Sequence, residues 1–203
     1  DGVVLLHSVV GCNFGSMSLH VAQDMRDIRQ TCTVISDSDV VFSGEASLER
    51  AVRSALELFQ PSVLFVVSGC VSEMIGDDIP AVLARIPHEA PLLHVEAAGF
   101  RGDAARGLEA GWLALLPLMK PPVPRPYPRP YPRSDPRPLV NLIGLGMDDP
   151  HAADDVEALR AMLAPQAALG AVLSRCTLEE VRRAPYADVN LVLRGKGREL
   201  AQA

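Results

Sequence analysis

The chain is poor in aromatic residues, at 4% of its 203 positions, and it has one tryptophan and four cysteines. No uncharged apolar run approaches the roughly 18 residues that span a bilayer. No basic segment leads into an apolar stretch at the amino terminus either, so neither a membrane partner nor a secretory leader is expected. An excess of positive charge is also missing. Lys+Arg 19 against Asp+Glu 25 gives a net charge of −6, the wrong sign for a nucleic-acid or anionic-membrane surface. Cys12, Cys32, Cys70 and Cys176 are too few and too widely spaced for a disulfide-stapled secreted domain. The expected compartment is the cytoplasm, where such thiols are buried core residues or metal ligands. The chain starts at Asp1 without Met and stops at Ala203, which reads as part of something longer. A hydrophobic content of 48%, with a mean hydropathy of +0.16, supplies enough apolar surface for a globular core and excludes disorder and coiled coil.

Short β-branched runs alternate with Ala/Leu/Arg-rich stretches of helical spacing, the pattern of an α/β protein with a parallel sheet. Strands are expected at Val3 to Leu6, Thr31 to Ile35, Val63 to Val67 and Leu92 to Val95. Val63 to Val67 is a continuous apolar run of the kind buried on both faces. Gly11 to Ser16 reads as a loop before a helix from about Ser18 to Arg29, and Ser36 to Asp39 as a polar loop. Ser47 reads as the N-cap of a helix over Leu48 to Phe59 that Pro61 stops. Asp77 or Asp78 caps a helix running to about Ile86, Gly99 to Gly102 is a tight loop, and Leu108 to Met119 is an amphipathic helix. Nine prolines then fall between Pro121 and Pro138, interleaved with arginines, and mark an extended linker. Beyond it come a strand at Leu139 to Ile143, a helix from about Ala153 to Leu163, a weak strand at Ala171 to Leu173, a helix at Thr177 to Arg183 and a strand at Asn190 to Leu193. The expected architecture is a Rossmann-like parallel-sheet domain over 1–120, a Pro/Arg-rich linker over 121–138, and the start of a second Rossmann-like domain over 139–203.

Two thiols stand on glycine-flanked turns just past strands: Val10-Gly11-Cys12 and Ser68-Gly69-Cys70. Ligands of open parallel sheets gather beyond the carboxyl ends of the strands, so Cys12 and Cys70 are candidates for one site. Thiolates there suit a soft metal or an iron–sulfur cluster, with Gly11 and Gly69 removing bulk and leaving backbone N–H groups for cluster sulfides. The alternative reading of each Cys is a small buried hydrophobe. Gly144-Leu145-Gly146 follows a strand but lacks the third glycine of a dinucleotide loop, and Met147-Asp148-Asp149 would put acid where a pyrophosphate sits. No His pair has metal-ligand spacing, and helix capping accounts for Asp77-Asp78.

Four separated segments together resemble a known family: His7-Ser8-Val9-Val10-Gly11-Cys12, Ser36 to Glu45, Ser68-Gly69-Cys70 through Ile75-Gly76-Asp77-Asp78-Ile79, and Ala98 to Gly102. In this order they are similar to the signature of nitrogenase component 1 subunits, including nitrogenase-like reductases and cofactor-maturation scaffolds. The resemblance covers about residues 3–116 well and continues less specifically after the linker. It implies an α/β subunit that pairs with a homologous component 1 subunit and receives electrons from an ATP-dependent iron protein. By the same resemblance Cys12 and Cys70 match the second and third cysteine ligands of an interface cluster, either 4Fe–4S or a larger P-cluster-like form. The family's first cysteine falls before Asp1. Asp103 matches an oxygen ligand of one subunit type, and Cys32 a non-ligand position. One departure is clear: Leu193-Arg194-Gly195 stands where catalytic α subunits carry a cofactor-binding Cys, so dinitrogen reduction is not expected of this subunit. The leading expectation is therefore a nitrogenase-like oxidoreductase subunit relaying electrons through a cluster on Cys12 and Cys70 to a reducible substrate. A scaffold for metal cofactor assembly and a cluster-free binding module are the alternatives, and side chains that act on the substrate are not identifiable.

Overall fold

The computed structural model describes residues 2–22, 29–119, 135–146 and 151–202, and for 19–22 the backbone alone. The helix expected to reach Arg29, most of the Pro/Arg-rich segment and Met147-Asp148-Asp149 fall wholly or partly outside the described residues. The chain divides into two compact units, residues 1–110 and 111–203.

The first unit is built on a parallel sheet of four strands, β1 (Gly2–His7), β2 (Gln30–Cys32), β3 (Val63–Ser68) and β4 (Leu92–Glu96), in the order β2-β1-β3-β4. β1 and β3 pair along their whole lengths, from Gly2 opposite Val63 to His7 opposite Ser68. The chain leaves β1 toward β2 on one side and returns to β3 on the other, so the topological switch point lies between the carboxyl ends of β1 and β3.

One sheet face is fully covered. Val3, Leu5, Leu64 and Val66 pack against Leu48 and Val52 of α3 (Glu45–Phe59) and Ile79 and Val82 of α5 (Ile79–Ala84). Each such side chain contributes about 1.5–3 kcal/mol relative to exposure. On the other face Val4, Leu6, Phe65 and Val67 are only half-buried. The expectation of burial on both faces of β3 thus holds for one, because α1 (Val10–Ala22) packs chiefly over β2 rather than over the centre of the sheet.

Several local expectations are corrected. Gly11 to Ser16 is the first part of α1, not a loop. Gly11 and Gly15 suggest punctuation, yet neither has positive φ and a Cβ on either would meet nothing within 4 Å. They only weaken the helix, by about 1 kcal/mol each against Ala. Ser36 to Asp39 is also not a loop. Ser36 is the N-cap of α2 (Asp37–Phe42), and Asp39 at N3 returns a bond to the Ser36 N–H to complete a capping box. α3 starts at Glu45 rather than after Ser47, whose hydroxyl instead donates to Asp39 Oδ1 at 2.7 Å. A short helix, α4 (Cys70–Ile75), begins directly at Cys70. Asp78 caps α5 through the Ala81 N–H at 3.0 Å. The helix expected over Leu108 to Met119 starts earlier and is broken, giving α6 (Ala104–Leu113) and α7 (Leu116–Met119), since Pro117 has no N–H to continue the ladder.

The second unit holds a parallel sheet of β5 (Leu139–Ile143), β6 (Ala168–Val172) and β7 (Val189–Val192) in the order β6-β5-β7. Val140 and Leu142 pack with Val156 and Leu159 of α8 (Ala152–Leu163) on one face. On the other, the buried Asn141 amide donates to Ala184 O at 2.8 Å and Asn190 Oδ1 at 2.9 Å and accepts the Ala171 N–H at 3.0 Å. α9 (Leu178–Arg183), capped by Thr177, and α10 (Arg198–Gln202) complete the unit.

Candidate functional site

Cys12 and Cys70 leave the sheet on either side of the switch point. Cys12 lies in the first turn of α1, five residues past the end of β1, with its N–H bonded to Val9 O at 3.1 Å and its side chain exposed. Cys70 opens α4, two residues past the end of β3. Its turn is pinned to β1: the Gly69 N–H donates to His7 O at 3.1 Å, and the buried Ser72 hydroxyl donates to the same carbonyl at 2.8 Å. The Cys70 sulfur accepts the Gly99 N–H at 3.2 Å from the loop after β4.

Gly69 is a glycine for reasons of space. A Cβ there would lie 2.3 Å from Ser8 Oγ and 2.7 Å from Ser8 Cβ. Ser8 is fully buried and its hydroxyl has no hydrogen-bond partner among the described residues. Gly69→Ala is expected to cost about 2 kcal/mol from overpacking, and adding Ser8→Gly should recover most of it. Denaturant midpoints of the single and double variants check this, and an unrescued double variant contradicts the contact.

The surrounding frame is a hydrogen-bonded hub on His7. Burial pushes the His7 imidazole below its usual value despite the opposing pull of Asp77, so the ring is neutral near pH 7. Its Nε2–H donates to Asp77 Oδ2 at 3.0 Å, and its Nδ1 accepts the Thr33 hydroxyl at 3.0 Å. Asp77 Oδ1 receives the Gly44 N–H and the Ser43 hydroxyl, each at 2.9 Å. Gly44 is also required for close approach, since a Cβ there would meet Asp77 Oδ2 at 2.6 Å. Three of the resembling segments, at residues 7–12, 36–45 and 68–79, thus meet at one buried pair. The fourth, 98–102, joins through the Cys70 sulfur.

The sign of the pH dependence follows from the lowered His7 value. The unfolded chain binds a proton at higher pH than the folded one does. The stability His7 contributes is therefore complete above its ordinary pKa near 6.5 and falls as pH drops below it. The half-buried His94 is lowered for the same reason and adds in the same direction. The melting temperature of the full chain is expected to fall between about pH 7.5 and about pH 5.5, and a flat profile contradicts the assignment.

The remaining expected residues are placed as follows. Gly11 lies in α1 beside Cys12. Asp103 precedes α6, is exposed, and accepts the Arg106 N–H at 3.1 Å. Cys32 ends β2, donates to Ser8 O at 3.4 Å and accepts the Val34 N–H. Cys176 is in the second unit, and burial, helped by Glu180, pushes its thiol up to about 11. Among the described residues no group of three or more His, Cys, Asp or Glu side chains is gathered as a metal cage. No helix among them is long and apolar enough to cross a membrane. A cavity of about 630 Å³ lies within the second unit, lined by Leu116, Met119, Asn141, Ile143, Tyr186 and Asn190 among others. No thiol is among the residues that line it. Asp77 was expected only as a helix cap, a role that Asp78 fills while Asp77 turns to His7, and no role was assigned to His7, Glu73 or Arg101, because the partners of these groups lie 28 to 70 residues away.

A parallel Rossmann-like unit with two thiols flanking its switch point defines a class of α/β protein that holds its ligand at the carboxyl edge of the sheet. The family profile described as Nitrogenase component 1 type Oxidoreductase matches residues 1–203, and the chain belongs to that family. It is 30% identical over 208 aligned positions to the nitrogenase iron-molybdenum cofactor biosynthesis protein NifE of Methanosarcina barkeri, covering 95% of this chain and 42% of that protein. It is 32% identical over 101 residues, half of this chain, to component CfbD of the Ni-sirohydrochlorin a,c-diamide reductive cyclase complex of Methanothermobacter thermautotrophicus, covering 27% of that protein. The solved structure titled "Nitrogenase Cp1 at pH 6.5" superposes with a TM-score of 0.70 at 23% identity, over 97% of this chain and 38% of that one, and shows the shared fold. The chain spans less than half the length of these relatives.

Proposed function

We propose that this chain is the cluster-bearing part of a nitrogenase-like component 1 subunit, in which Cys12 and Cys70 are thiolate ligands of an iron–sulfur cluster. The observation that carries the reading is the placement of the two thiols at the switch point, with the Gly99 N–H directed at the Cys70 sulfur. The donor set fits such a group. Both ligands are soft, a backbone donor already faces one of them, and the Ser8 hydroxyl, without a partner among the described residues, lies against Gly69 beside Cys70. When bound, the cluster supplies one-electron relay. The chain's own residues fix the ligand turns: Ser72 and the Gly69 N–H tie the Cys70 turn to β1, and His7 with Asp77 locks the end of β1.

Two thiolates do not complete a four-ligand cluster, so the reading requires further ligands from a homologous component 1 subunit or from chain outside the described residues. Large apolar side chains are exposed in the segments around the thiols: Val10 and Phe14 in α1, Val41 and Phe42 in α2, Met74 in α4, and Phe100 in the loop after β4. Such exposure suits coverage by a partner subunit, which would also shield the cluster. In this reading an ATP-dependent iron protein is the electron donor, the compartment is the cytoplasm, and Asp103 stands as a candidate oxygen ligand.

A second reading, a scaffold on which a metal cofactor is assembled, is favoured by the likeness to a protein named for iron-molybdenum cofactor biosynthesis. EPR after anaerobic mixing of the full-length complex with an ATP-dependent iron protein and MgATP separates the two. ATP-dependent reduction of the cluster supports the relay. Iron that is not reduced but is delivered to a cofactor-free acceptor protein supports the scaffold and overturns the relay.

A further inference from the structure

The loop Ala98–Gly102 has no regular secondary structure; the Arg101 N–H closes it on Ala98 O at 2.9 Å, and one buried carboxylate grips it at two points. Glu73 Oε1 accepts the Ser68 hydroxyl at 2.5 Å and the Ala98 N–H at 3.2 Å, and its other oxygen pairs with the Arg101 guanidinium. Arg101 also reaches Glu96 at 3.0 Å. The Glu73 side chain is only 7% exposed, while Arg101 is 43% exposed. Burial alone would raise the Glu73 carboxyl, but the bonds from Arg101, Ser68 and Ala98 outweigh it and hold the group below the usual carboxylate range. An ionised carboxylate therefore joins the end of β3, α4 and the loop after β4. Gly99, the next residue after Ala98 in that loop, sends its N–H to Cys70 Sγ at 3.2 Å.

We infer that Glu73 is a positioning residue for Cys70: by gripping Ala98 and Arg101 on either side of Gly99, it keeps the Gly99 N–H on the sulfur and so tunes the electron density of that ligand. This rests on the cluster reading above. An N–H aimed at a ligating thiolate withdraws charge and favours the more electron-rich, reduced state of the group it holds. Removing the grip frees the loop, weakens the N–H to sulfur bond, and makes the group harder to reduce. Gln at 73 keeps an acceptor for Ser68 and Ala98 and loses the ion pair with Arg101, so it should fall between wild type and Ala.

The test uses the full-length protein in two states, for wild type, Glu73→Gln and Glu73→Ala. In the metal-free protein, hydrogen exchange at the Gly99 amide is expected to be about tenfold faster in Glu73→Ala, the equivalent of one lost hydrogen bond, and intermediate in Glu73→Gln. In the complex reconstituted with iron and sulfide, the midpoint potential is expected to move to more negative values in the same order with iron content unchanged. A purely structural role would leave that potential where it is. Unchanged Gly99 exchange and an unchanged potential in both variants, with iron fully loaded, overturn the inference. If Glu73→Ala fails to fold, the isosteric Glu73→Gln decides it by the same two readings. A wild type that takes up no iron overturns the cluster reading itself, an outcome distinct from a loaded protein with an unmoved potential.

Discussion

Replacing Cys12 and Cys70 together with alanine is expected to abolish iron binding while leaving the fold in place. Cys12 is exposed and fills no core position. Cys70 is partly buried, and its loss leaves one backbone N–H, that of Gly99, without its sulfur acceptor. Each substitution should cost on the order of 1 kcal/mol or less, too little to unfold a domain of this size. A loss of iron in the variant then reports on ligation rather than on folding. Two internal controls sharpen the result. Cys32 is bonded to backbone groups at the end of β2, and Cys176 is a half-buried thiol in the other unit, so Cys32→Ala and Cys176→Ala should keep full iron. Iron and melting temperature measured side by side on the four proteins check this, and a double variant that keeps its iron contradicts the assignment of both cysteines.

The second large effect is on stability. His7→Ala is expected to destabilise the chain by about 3 kcal/mol or more, because it removes a hydrogen-bond donor from the Asp77 carboxylate, whose side chain is 1% exposed, and leaves a cavity where the fully buried ring stood. That is a large share of the roughly 5–15 kcal/mol available to a typical domain, and it corresponds to a fall in melting temperature of about 6–12 °C for a chain of this size. Asp77→Asn keeps one carbonyl acceptor at the hub and should cost less. The double variant His7→Ala, Asp77→Ala should cost less than the sum of its singles, because removing both partners leaves no carboxylate short of a donor. Urea midpoints for this cycle decide it. Additive singles would mean that His7 and Asp77 are not energetically coupled.

The fold was legible wherever hydrophobic pattern and punctuation agreed. The apolar run at residues 63–67 and the strand at Leu139 to Ile143 needed no tertiary information, and Pro61 marked the end of α3 because it stops a helix on its own. The missed helices share a cause. α2 begins in a Ser-Asp-Ser-Asp stretch that reads as loop until Ser36 and Asp39 are seen closing a capping box, and the start of α1 is masked by Gly11 and Gly15, residues that punctuate in isolation and here merely weaken a helix. The candidate thiols were visible because Gly-Cys after a strand is a local signal, and their shared switch point followed once the strand order was known. The groups that hold them were not. His7 and Asp77 are 70 residues apart and Glu73 and Arg101 are 28 apart, and nothing local in either segment states that a carboxylate in one will meet a partner in the other. The S-x-x-D spacing at residues 36–39 was the one such signal in the sequence that would have corrected a helix.

The most direct test of the central claim is the iron and acid-labile sulfide content of the anaerobically purified full-length protein with its partner subunit, read together with its absorption and EPR spectra. The account predicts a brown protein with matched iron and sulfide and a reduced-state EPR signal. A wild type that stays colourless and EPR-silent after iron–sulfide reconstitution with the partner would contradict it, and Cys12 and Cys70 would then be packing residues in a fold that has kept its family shape without its cluster.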